Sequence, residues 1–142
     1  MGLAQSTATA DSAERERAEI GRSFSARTIK GYWGFSTSFS MLLPPLLPEA
    51  MPGTGLGRLY FDGNGGCSVT LWANVNGETN PSRSSTCRYA VNSDGTGSSE
   101  AVFEGLPLQG PISIVFVIVD DGREIRAMND KSIVSTFTAR RQ

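Results

Sequence analysis

From Ile29 to Phe39 the chain alternates: Ile29, Gly31, Trp33, Phe35, Thr37 and Phe39 fall on one side. Lys30, Tyr32, Gly34, Ser36 and Ser38 fall on the other. A period of two marks a strand with one buried face. Val69, Leu71 and Ala73 alternate with Ser68, Thr70 and Trp72 in the same way. Between such runs stand turn formers: Asp62-Gly63-Asn64-Gly65-Gly66, Asn92-Ser93-Asp94-Gly95-Thr96-Gly97 and Asp120-Asp121-Gly122. Gly, Asn and Asp accept the positive φ that tight hairpins need, so each cluster reverses the chain. Eight strands are predicted, at about 28–40, 58–62, 67–75, 84–91, 97–104, 112–119, 123–128 and 132–140. The fold class is all-β, an eight-stranded antiparallel up-and-down barrel.

An arm, residues 1–27, precedes the barrel domain, 28–142. Asp11-Ser12-Ala13-Glu14 has capping-box form and opens a short N-terminal helix ending near Gly21. In an up-and-down barrel, alternate loops gather at opposite ends. The Gly/Asn/Asp turns make one end narrow, and the arm enters there to plug the floor. The connections at 41–57, 76–83, 105–111 and 129–131 share the other end, which becomes the mouth.

The first of these connections is unusual. Met41 to Pro52 carries four Leu, two Met and four Pro, where loops are normally polar. It reads as a strap packed outside the barrel, as an apolar lid through Leu46, Leu47 and Met51, or as a partner-binding loop. Ile112–Val119 is apolar on both faces, so Val115, Val117 and Val119 need cover from outside. The arm helix or a second copy would provide it, a homodimer being slightly favoured.

The inward set is apolar and aromatic: Trp33, Phe35, Phe39, Leu59, Phe61, Val69, Leu71, Tyr89, Phe103, Ile114, Phe116 and Phe137. Eight strands enclose a lumen either filled by side chains or able to hold one small ligand. The apolar lid and the wide mouth favour an apolar small-molecule ligand. Tyr89 is the best polar candidate inside. Arg126 is ambiguous: it points inward, where it needs an anionic or carbonyl partner, or outward into a surface pair.

Composition removes whole classes of chemistry. The 142 residues contain no histidine, which excludes Ser-His-Asp catalysis, Cys-His catalysis and His-ligated metal sites. No acidic cluster suits Ca²⁺ or Mg²⁺, and no pair of carboxylates suits acid/base work, so neither metal nor cofactor is expected. Net charge is −1 with no basic run, which argues against nucleic acid. No apolar stretch approaches the ~20 residues of a membrane-spanning helix, and Met1 to Ala10 lacks the form of a secretory signal. With strands 67–75 and 84–91 paired around a loop at 76–83, Cys87 falls near Trp72, roughly 16 Å from Cys67 at ~3.3 Å per residue. A bridge needs Cα atoms within about 7 Å, so two free thiols and a cytoplasmic location are expected.

Gly31-Tyr32-Trp33 resembles the Gly-x-Trp that opens the first strand of lipocalins, with Arg140 or Arg141 as the Arg that packs on the Trp. Residues 28–142 resemble small bacterial calycin-like barrel proteins, through 57–65, 89–97 and the end Ala139-Arg140-Arg141-Gln142. In architecture the chain also resembles allene oxide cyclase and the spirotetronate-forming Diels–Alderases of bacterial polyketide pathways. That likeness implies a cofactor-independent cyclase that folds an apolar polyunsaturated intermediate into a reactive shape. Tyr89, and Arg126 if inward, would polarise a substrate carbonyl. The alternatives are a non-catalytic carrier or sensor of an apolar molecule, and a structural barrel working through protein contacts.

Overall fold

The computed structural model describes residues 23–41, 51–75, 77–105, 111–131 and 133–142. Eight antiparallel strands close on themselves in chain order: β1 (Gly31–Met41), β2 (Met51–Phe61), β3 (Cys67–Val75), β4 (Glu78–Val91), β5 (Thr96–Glu104), β6 (Ile112–Val119), β7 (Glu124–Asn129) and β8 (Ile133–Arg141). β1 and β8 complete the circle, with Trp33 opposite Arg141 and Met41 opposite Ile133. A 3-10 turn at Ala26–Ile29 leads into β1. The capped helix expected near residues 11–21 lies outside the described residues.

The alternation read from the sequence is the barrel's inside and outside. On β3, Val69, Leu71 and Ala73 are buried while Ser68, Thr70, Trp72 and Asn74 are exposed. The outer wall carries Arg58, Arg83, Arg88, Glu104 and Arg126, and the inner wall is apolar. That polarity is the reverse of a membrane-spanning barrel, whose outer band is apolar. Among the described residues no helix is long and apolar enough to cross a membrane.

Two strands are longer than the sequence pattern suggested. β2 begins at Met51 rather than near Arg58, and residues 51–57 pair with β1 along Phe35–Met41. Its Gly53, Gly55 and Gly57 lower strand propensity, which hides the strand in the sequence. They are required for another reason. A Cβ on Gly57 would stand 2.7 Å from the Phe35 ring, and one on Gly53 would stand 2.5 Å from the Phe39 ring. The inward aromatic rings of β1 lie flat over this strip of bare backbone.

β4 likewise begins at Glu78, not near Ser84, so the expected long third loop is a tight hairpin. Asn74 holds it closed, accepting from the Gly77 N–H at 3.1 Å. Pro81, which argues against a strand, stands where β4 runs past the end of its ladder with β5 at Arg83–Glu104. A missing N–H costs no ladder bond on that side.

This earlier start of β4 shifts the β3–β4 register by six residues and overturns the free thiols. Thr70 faces Arg83 where the expected register set it opposite Tyr89, and a bulge between Ser84 and Thr86 adds one further residue. Beyond the bulge Gly66 pairs with Arg88, so Cys67 lies opposite Cys87. Their Cα atoms are 4.9 Å apart and the sulfurs form a disulfide. Without the bulge, Cys67 would face Thr86, and the inward face of β4 would not pass from Ser82 and Ser84 to Cys87 and Tyr89.

Candidate functional site

The three Gly/Asn/Asp turns lie at one end, as the loop pattern predicts, and the segment before β1 seals that end. Ile29 and Trp33 are fully buried there, and the Trp33 indole N–H donates to the Ile29 carbonyl at 2.9 Å. The Phe24 N–H donates to the Ser93 carbonyl at 3.2 Å, tying the entering chain to the β4–β5 turn. Arg141 spreads its guanidinium 4.6 Å above the Trp33 ring. It also donates to the Lys30 carbonyl at 2.6 Å and the Thr28 carbonyl at 2.7 Å. Those carbonyls end the 3-10 turn and have no helical successor, so the cation satisfies them.

Tyr89 belongs to this floor. Its hydroxyl donates to the Ala26 carbonyl at 2.8 Å and accepts from the Gly63 N–H at 3.0 Å. Burial pushes its pKa above the ordinary tyrosine value, and the backbone donors Gly63 and Gly65 partly offset this. The ring packs edge-on against Phe61, 4.8 Å between centroids. A hydroxyl so engaged serves the closure of the barrel, not the polarisation of a ligand in the lumen.

Arg126 points away from the lumen. Ile125 and Ala127 take the inner face of β7, so the residue between them must face out. Arg126 is exposed and pairs with Glu124 at 3.1 Å. The two residues proposed as catalytic are therefore neither together nor at the lumen wall.

Above the floor the barrel holds a cavity of about 110 Å³. Phe35, Phe39, Leu71, Phe103, Ile114 and Phe137 line it, as the alternation suggested, with Leu59, Phe61 and Val69. Trp33 and Phe116 point inward but lie below it, in the floor and over Gly97. Leu46 and Leu47 lie outside the described residues. Met51 is the first residue of β2, paired with Met41.

Several lining residues stand outside the apolar inward set, although alternation puts Thr37 and Cys87 on the inner faces of their strands. The Cys67–Cys87 bridge forms part of the wall, with Ser99 beside it. Thr37, Asn129 and Ser135 supply polar atoms on the neighbouring strands β1, β7 and β8. Period two places each of them inward, but a polar side chain on an inward position looks like an interruption when only apolar ones are counted. Among the described residues no charged side chain lines the cavity, and no three of His, Cys, Asp and Glu come together.

No family model, no curated protein and no solved structure matches the chain.

On the outer wall of β6, Val115 and Val117 remain exposed. Leu56 and Trp72 form a second apolar pair on the β2–β3 surface, directly opposite each other.

Proposed function

We propose that this protein binds one small apolar molecule in the barrel lumen and holds it without transforming it, as a carrier or sensor. The observation that carries the reading is the cavity itself: uncharged and mostly apolar. The rings of Phe35 and Phe39, packed over Gly57 and Gly53, form part of its wall.

Ring formation by templating, with Tyr89 and Arg126 acting on a carbonyl, has less support. The Tyr89 hydroxyl is engaged by Ala26 and Gly63, and Arg126 faces out. An engineered cavity of about 150 Å³ takes one benzene, so about 110 Å³ does not enclose a folded polyene. Likeness to calycin barrels is part of the proposal and is supported by Arg141 stacked on Trp33. The Cys67–Cys87 bridge fits an oxidising compartment better than a cytoplasmic one. Pairing of two copies across Val115, Val117 and Met128 is supported by their exposure, and sedimentation at increasing concentration tests it.

The test of the binding proposal is calorimetric titration with benzene, a single-ring hydrocarbon, against the protein and its Ala101→Phe variant. Saturable one-to-one binding that the variant abolishes is expected, because Ala101 faces the cavity. No binding to the unaltered chain would remove the proposal.

A further inference from the structure

Along one edge β3 pairs with β2 without a break, from Val75–Gly53 to Cys67–Phe61. Along the other edge its ladder with β4 runs from Val75–Glu78 to Thr70–Arg83 and stops. Pairing resumes below as an isolated bridge, Gly66 with Arg88. Between the two, Cys67, Ser68 and Val69 face Ser84 to Cys87 outside the regular ladder. The bulge is the cause, since one extra residue on β4 puts carbonyls and N–H groups out of step. The Val69 N–H, aimed at β4, takes the Ser84 hydroxyl at 2.9 Å in place of a carbonyl.

The Cys67–Cys87 bridge spans this gap. It joins two intact ladders, because Cys67 pairs with Phe61 of β2 and Cys87 pairs with Ala101 of β5. Both cysteines are half-buried, and both line the cavity with Val69 and Ala101. A disulfide sealed in a core resists thiol exchange, whereas one bordering open space is labile.

We propose that this bridge is a redox latch on the lumen: intact, it holds the seam shut around a ligand, and reduction by a dithiol loosens that grip. The latch rests on the binding proposal and adds its regulation. One thiolate of the reductant attacks one cysteine sulfur, the S–S bond breaks, and the other cysteine leaves as a thiolate. The second thiol of the reductant then displaces the first cysteine and closes an oxidised cyclic dithiol. Two electrons and two protons pass to the cysteines, which end as thiols. Two thiols do not stay at bonding distance, so the sulfurs separate. The gap is then left to the Ser84 hydroxyl, and the strands part between Thr70 and Gly66. The other seams keep their ladders, so the barrel persists. A ligand loses part of its wall on reduction, and a ligand in place shields the sulfurs. The two effects are one reciprocal coupling.

The experiment titrates benzene by calorimetry into the full chain, oxidised and after reduction with excess dithiothreitol. The reduced chain is expected to stay folded by circular dichroism and to bind benzene about 10-fold more weakly. Saturating benzene should raise the ratio of reduced to oxidised dithiothreitol at half-reduction by about the same factor. Equal affinity in both forms overturns the latch while leaving the lumen a binding site. Unfolding on reduction overturns it as well, since the bridge is then a staple. So does a folded chain that dithiothreitol fails to reduce. Without any ligand, amide exchange reads the seam itself. The Val69 amide should exchange about 10-fold faster after reduction, and Leu71, paired with Ser82, should change less. An unchanged Val69 overturns the latch even where affinity falls. Failure of benzene to bind the oxidised chain defeats the binding proposal itself, and the latch with it.

Discussion

The same eight strands make two different ends. At the floor, each polar group that the closure buries has its partner: the Trp33 indole on Ile29, the Tyr89 hydroxyl between Ala26 and Gly63, and Arg141 on the carbonyls of Thr28 and Lys30. Toward the mouth, Phe39, Phe103, Ile114 and Phe137 are each partly exposed around unfilled space. The difference teaches that stability and recognition are separated along the strand axis. A floor that is satisfied can tolerate a lumen that is not, because packing lost in one layer is supplied in the next.

The largest effect expected is at the floor. Trp33→Ala should cost about 3–5 kcal/mol in urea denaturation, since it empties a fully buried site. A loss below 1 kcal/mol would break the contrast between the two ends. Cys67→Ala with Cys87→Ala removes a bridge spanning 20 residues, worth about 3 kcal/mol. Because this bridge crosses the bulged seam of β3 and β4, hydrogen exchange should rise first at residues 66–70 and 84–88.

Tyr89→Phe follows, with a loss of about 1–3 kcal/mol from one hydroxyl that both donates and accepts. Its pKa is raised in the folded chain, chiefly by burial. Its contribution is therefore complete below the ordinary value near 10 and is lost as pH rises through the folded value. The alkaline limb of the stability curve should shrink in the variant, and ligand affinity should not change. A changed affinity would return Tyr89 to the lumen.

At the mouth, Phe39→Ala should cost about 1–2 kcal/mol, less than a fully buried ring, while raising the ligand off-rate. Equal costs for Phe39 and Trp33 would mean that the ends are built alike. The smallest effect is expected for Arg126→Ala, within about 0.5 kcal/mol, because Arg126 is exposed and Glu124 keeps Arg140 at 3.8 Å. Any loss of binding in that variant would contradict its outward direction.

The parts of the floor that local chemistry dictates were readable in the chain. Asp62 takes the N–H groups of Asn64 and Gly66, at 2.7 and 2.9 Å, and this turn is visible in its five residues. Asp94 behaves alike: the Thr96 hydroxyl and then its N–H hold the carboxyl below the usual range. Alternation likewise assigned Phe35, Leu71 and Phe137 to the wall. The glycine strand was not readable, because Gly53, Gly55 and Gly57 become favourable only once the rings of β1 lie over them. Nor was the disulfide, which depends on one extra residue at Ser85.

The sequence by itself determined that the chain alternates, where three of its turns fall and which chemistries lack their residues. Those follow from properties of single residues and their near neighbours: positive φ, period two, the absence of imidazole. Tertiary structure decided the register of β3 on β4, the sulfur bridge, the direction of Arg126 and the role of Tyr89. Each of these depends on which distant segment lies alongside, and a shift of one residue in a strand turns every side chain to the opposite face.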